Sequence, residues 1–101
     1  MATNLLVIQG ELLKVEELRF TPAGIPILNL VIGHTSEQVE AGMKRKVECE
    51  VNAMVMGELA KASQYLSAGT QVKAAGFLAK RSFKSAQLVL HINKLENVSQ
   101  A

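Results

Sequence analysis

Residues 44–69 read KRKVECEVNAMVMGELAKASQYLSAG, and the spacing of apolar residues changes once inside that stretch. Before Gly57 the period is two. Val47, Cys49, Val51, Ala53 and Val55 alternate with Lys46, Glu48, Glu50 and Asn52, the pattern of a strand with one buried face. Cys49 is therefore expected to point inward, as a small hydrophobe. After Gly57 the period becomes helical: Leu59, Ala62 and Leu66 fall on one face, and Ala60, Lys61 and Gln64 favour helix. Gly69 stands where a helix of about two to three turns would stop. A strand that hands over to one short helix, in a chain otherwise rich in strands, limits the folds available.

On the N-terminal side, residues 35–43 (TSEQVEAGM) are polar and read as a loop. Before them, IPILNLVIGHT is a second strand with Leu28, Leu30 and Ile32 on one face. The segment FTPAGIP punctuates the chain: Pro22 pre-sets a turn, Gly24 permits φ > 0, and Pro26 has no ladder donor to offer. The first strand, LLVIQGELLKVEEL, places Leu6, Ile8 and Leu12 on one face with Gly10. Leu5 and Val7 lie on the other face, beside Gln9 and Glu11. A glycine inside a strand marks a bulge or a tight bend.

On the C-terminal side, TQVKAAGFLAKR and SAQLVLHINKLENV form a hairpin whose tip carries Lys80, Arg81, Phe83 and Lys84. The order is β-β-β-α-β-β. It predicts a mostly β chain: a five-stranded Greek-key OB-fold barrel with one short helix between the third and fourth strands, spanning residues 1–101 as a single domain.

Composition narrows the chemistry. The chain has 101 residues, no aspartate and one cysteine, so no internal disulfide is expected. The N-terminus has neither a basic n-region nor a long apolar h-region, and no run reaches membrane-spanning length, so a cytoplasmic protein is expected. His34 and His91 lie far apart without carboxylate or cysteine neighbours at ligand spacing, which argues against a metal. Phosphate-loop glycines are missing, and a nucleophile with a base is hard to assemble. The expectation is a non-enzyme without a cofactor.

Net charge is +2, but unevenly spread. Residues 1–40 hold two basic against five acidic residues, and residues 41–101 hold nine basic against four acidic. Such asymmetry favours a polyanionic partner, with a merely solvated basic surface as the alternative. Three basic clusters fall where an OB barrel presents its groove: Arg19 with Phe20, then Lys44, Arg45 and Lys46, then Lys80, Arg81 and Lys84 around Phe83. Cations there neutralise phosphates and exposed rings stack on bases. Phe83 either stacks or folds back over the barrel end as a lid, and Phe20 is equally open. Phe77 and Tyr65 read as packing residues.

QGEL, then ELRFTPAGIPILNL, then VMGELAKASQYLSAGTQVKAAGFL together resemble the bacterial single-stranded-DNA-binding OB family. HTSEQVEAG, SAQLVLH and the chain length resemble its members that act in replication restart. The resemblance implies binding of single-stranded DNA at abandoned forks by a homodimer. It also implies contact with the primosomal restart helicase PriA and other primosome proteins, stabilising the helicase on DNA. It carries DNA contact onto Arg19 and Lys84 directly, and onto Lys44, Arg45, Lys46, Lys80 and Arg81 by neighbourhood. A homodimer would be built on the outward residues Leu5 and Val7 of the first strand. Two departures stand out: there is no tryptophan, and Glu48 and Glu50 occupy the outer face of the third strand. Those carboxylates favour a second reading, a protein-interaction adaptor with weak nucleic-acid affinity. An RNA-binding OB module is a third.

Overall fold

A computed structural model describes residues 1–99. In chain order the elements are β1 (Leu6–Val15), β2 (Arg19–Phe20), β3 (Pro26–Glu40), β4 (Met43–Met56), α1 (Glu58–Ser63), β5 (Gln71–Lys80) and β6 (Leu88–Asn97). One sheet runs β1-β5-β6-β4-β3-β2, and β1 also pairs with β3, which closes it into a barrel. Because β2 is only a two-residue bridge onto the start of β3, the wall consists of the other five strands. β4 and β6 pair in parallel over Ala53–Val55 and Leu90–Ile92, while the remaining pairings are antiparallel. This is the OB-fold expected from the order of periods.

The core is entirely aliphatic. Leu12, Leu28, Ile32, Val55, Val72, Ala74 and Leu90 have no exposed surface, and Leu30 has 2%. The buried residues of β1 and β4 are the ones alternation assigns inward, and so are Leu28, Leu30 and Ile32 of β3, where Ile27 is buried as well. Each such Leu or Ile contributes about 1.5–3 kcal/mol of apolar burial. α1 packs on β3, β4 and β6 through Ala60 and Ser63, with Leu59 and Leu66 half-buried.

Closure depends on close backbone approach at two glycines. β1 leaves β5 and joins β3 at Glu11, with an irregular register between Leu12 and Lys14. A Cβ on Gly10 would lie 2.2 Å from the Gly33 carbonyl oxygen. The bulge thus follows Gly10, while Gly10 itself provides the clearance. At Gly76 the β5–β6 register shifts, and a Cβ there would lie 1.8 Å from the His91 carbonyl oxygen.

Five sequence readings are corrected. Residues 35–40 are not loop: β3 runs on to Glu40 and turns into β4 through Ala41 and Gly42 alone, with φ of 53° and 76°. The pair forms a two-residue hairpin turn with both positions left-handed. The resulting arm stands off the barrel with both faces largely solvated, so its β3 half has no hydrophobic period to read. Cys49 follows the inward alternation but is exposed, because it lies where the arm leaves the barrel. α1 is six residues long, and its buried face is Ala60 and Ser63, while Ala62 is exposed. Gly69, with φ of 97°, belongs to the turn into β5 rather than to the helix end. Finally, Tyr65 is 83% exposed and Phe77 42% exposed, so neither packs in the core.

Candidate nucleic-acid interface

β1 curves so that its C-terminal half and β2 flank one side of the outer β3–β4 face. The β5–β6 hairpin flanks the other. Between them lies a groove of about 540 Å³. Its floor includes Asn29 and Val31 of β3, Asn52 and Met54 of β4, and Val89 and His91 of β6. Lys14 and Arg19 stand on one rim, Lys80 and Arg81 on the other. Glu16 is the carboxylate among the described lining residues, and Lys14 pairs with it at 3.8 Å. No ion pair engages Arg19, Lys80, Arg81 or Lys84 among the described residues. Arg19, Lys80 and Arg81 are therefore brought together, as free cations on opposite rims of one trough.

Lys44, Arg45 and Lys46 are not part of that trough. Cross-strand pairing puts Val39 opposite Lys44 and Glu37 opposite Lys46, whereas Arg45 faces Gln38 on the other side of the arm. Lys44 pairs with Glu37 at 3.7 Å, Lys46 with Glu48 at 3.2 Å, and Arg45 with Glu40. Dividing the charge by sequence at residue 40 concealed this, because β3 carries its glutamates back alongside the β4 cations. Glu48 and Glu50 lie between the cations of the arm and the groove on the same outer face, opposite Thr35 and Gly33.

The aromatics divide as well. Phe83 is 94% exposed on the hairpin between β5 and β6, with the Lys80 ammonium 5.8 Å from its ring centroid. The loop holds itself together: Arg81 N–H donates to the Gln87 carbonyl at 2.9 Å and Ser85 N–H to that of Ser82 at 3.1 Å. Phe83 does not fold over the barrel, which removes the lid. Phe20 is 58% exposed but does not line the groove, since successive strand residues point to opposite faces and Arg19 points in.

A second hollow, of about 760 Å³, lies beneath the arm against β1. Its charged lining is Glu11, Glu48 and Glu50, with His34 at its wall. His34 Nδ1 donates to the Gln9 carbonyl at 2.7 Å, so a neutral ring accepts at Nε2 from Ser36, whose oxygen in turn accepts from Gln38. The cationic trough and the acidic hollow share no lining residue, and Glu48 and Glu50 of the hollow follow directly on the trough along β4.

Sequence reasoning missed Lys14, Asn29, Asn52, Met54 and His91. They meet only through strand register, which no local motif encodes.

A closed barrel with a cation-rimmed trough across its two longest strands defines a class, the oligonucleotide-binding OB-folds. The profile of a family described as "Another single-strand binding protein family" matches residues 4–94. Replication restart protein PriB of Nitrosomonas europaea is 37% identical over 89 residues, covering 88% of this chain and 82% of that protein. PriB of Neisseria meningitidis serogroup B is 37% identical over 93 residues, or 92% of each chain. The solved structure of PriB from Ralstonia solanacearum superposes with a TM-score of 0.87 at 36% identity, covering 97% of this chain and all of that one. The single-stranded DNA binding protein of Thermus aquaticus shares the fold, with a TM-score of 0.80 at 20% identity over 96% of this chain and 50% of that one. The chain belongs to the single-strand binding protein family, within the group of replication restart protein PriB, or primosomal replication protein N.

Proposed function

We propose that this protein binds single-stranded DNA in the groove between Arg19 and the Lys80–Arg81 rim, and acts as an accessory of replication restart. The observation that carries the reading is the convergence of three unpaired cations on opposite rims of one trough, with polar and thioether side chains on its floor. A strand threading the trough would place phosphates on the rims and bases on the floor. Phe83, at the tip of the same hairpin, offers a ring to a base leaving the groove, and Lys84 another cation. The arm cations are secondary contacts, already held by carboxylates. Titration of labelled single-stranded DNA, RNA and duplex at two salt concentrations tests this. Preference for single-stranded DNA with steep salt dependence is expected, and equal affinity for all three would contradict it.

The role extends to protein partners. We infer contact with the restart helicase PriA and with other primosome proteins, stabilising the helicase on DNA. The acidic hollow favours protein contact over DNA on that side, because carboxylates repel phosphates. The same titration with and without the helicase measures the coupling.

A homodimer built on β1 completes the reading. The first half of β1 pairs with β5 on one edge only, and Leu5 and Val7 are 70% and 51% exposed. The Asn4 side chain fixes the strand entry, donating to the Leu78 carbonyl at 2.8 Å and accepting from its N–H at 2.9 Å. A two-fold copy would pair the open edge isologously and cover both apolar side chains.

A further inference from the structure

One line of side chains crosses the outer sheet at right angles to its strands. Asn29 pairs with Met54, Met54 with His91, and His91 with Phe77, so the line traverses β3, β4, β6 and β5. Two of its members are rings in contact. The Phe77 and His91 centroids are 5.0 Å apart, and their planes differ by 13°. That separation is the distance between adjacent strands, so the rings stand as neighbouring plates with no room for a base between them. Only His91 lines the groove, with Met54 beside it; Phe77 backs the imidazole from outside. One face of the imidazole is therefore occupied by Phe77, and the other is turned toward Met54 and the trough.

Building on the reading of this trough as a single-strand surface, we propose that His91 is a nucleobase-stacking residue at mid-groove, with Phe77 as its positioning residue. A base held between the two cationic rims continues the stack on the imidazole face turned to the trough, where the flexible Met54 side chain gives way. Such stacking tolerates any sequence, because every base has a π-face. Protonation strengthens it, since an imidazolium between two π-faces is attracted to both. The charged groups around His91 are Lys14, Arg19, Lys80, Arg81 and Glu16 of the groove; its strand neighbours Met54 and Phe77 bring none.

Fluorescence anisotropy with labelled oligothymidylate, at pH 8 and pH 6 and constant ionic strength, tests the assignment. The proteins are the parent, His91→Ala, His91→Phe, Phe77→Ala and Arg81→Ala. At pH 8, His91→Ala should bind roughly 5- to 100-fold more weakly. His91→Phe should restore most of the affinity, because it returns a ring to the stack. Phe77→Ala should fall between them. The parent should gain affinity on going to pH 6 relative to His91→Phe, a response that a purely structural role would not produce. If His91→Ala binds like the parent while Arg81→Ala is weakened, the groove stands and the stack is wrong. If neither substitution matters, the groove reading itself fails. Should His91→Ala not fold, an identical pH response in the parent and His91→Phe overturns the assignment.

Discussion

No aromatic ring is needed to fill this core. The three phenylalanines and one tyrosine are all at least 42% exposed, while Leu, Ile, Val and Ala complete the interior. Phe83 is the extreme case, and its position on a basic hairpin tip was legible from sequence, whereas the hydrogen bonds that hold the loop were not. Phe83→Ala should weaken single-strand binding by about 1–3 kcal/mol and leave the melting temperature nearly unchanged. A drop in melting temperature with intact binding would instead assign the ring to stability. Gly76 is the opposite kind of residue. Its missing Cβ lets the His91 backbone approach, so Gly76→Ala should destabilise by about 1–3 kcal/mol, read from urea denaturation. The sequence marked such glycines as bends without showing which backbone each admits.

Five strands and a helix in their order were legible at the level of elements, because each has one buried face and therefore a period. The β3 half of the arm was not. From Thr35 to Glu40 neither face packs on the barrel, so alternation carries no apolar signal and only pairing defines the strand. Its turn has Ala41 at a φ of 53°, where a Cβ is unfavourable, followed by Gly42. Ala41→Asn should therefore protect arm amides in hydrogen exchange by up to about 1 kcal/mol, since Asn-Gly suits this turn. Unchanged exchange would mean the turn is not what limits the arm. The helix face was misjudged for a related reason: α1 is too short for its period to outvote the packing of Ala60 and Ser63. Charge on the arm makes a further test. Glu48→Lys with Glu50→Lys should raise DNA affinity if a strand leaving the groove runs along the outer face. Unaltered affinity with lost helicase stimulation would assign that face to protein contact.

At the scale of the molecule, folding rearranges charge more than the sequence halves suggest. Glu37 and Glu40 return to Lys44 and Arg45, and among the described residues the unpaired cations Arg19, Lys80 and Arg81 line one trough that only the barrel assembles. A dimer would place two such troughs on one particle and raise avidity without a new kind of contact. Sedimentation at micromolar concentration should find a dimer, and Val7→Glu should dissociate it. A concentration-independent monomer for the parent would rule the dimer out. The groove itself is tested most directly by the salt dependence of single-strand affinity, compared between two triple variants. Arg19, Lys80 and Arg81 changed together to Ala should flatten the slope of log affinity against log salt by about 0.7 for each phosphate contact, near 2 in all. Lys44, Arg45 and Lys46 changed to Ala should flatten it by clearly less. If the arm variant loses the slope and the groove variant keeps it, DNA follows the arm, and the trough between Arg19 and Arg81 is not its path.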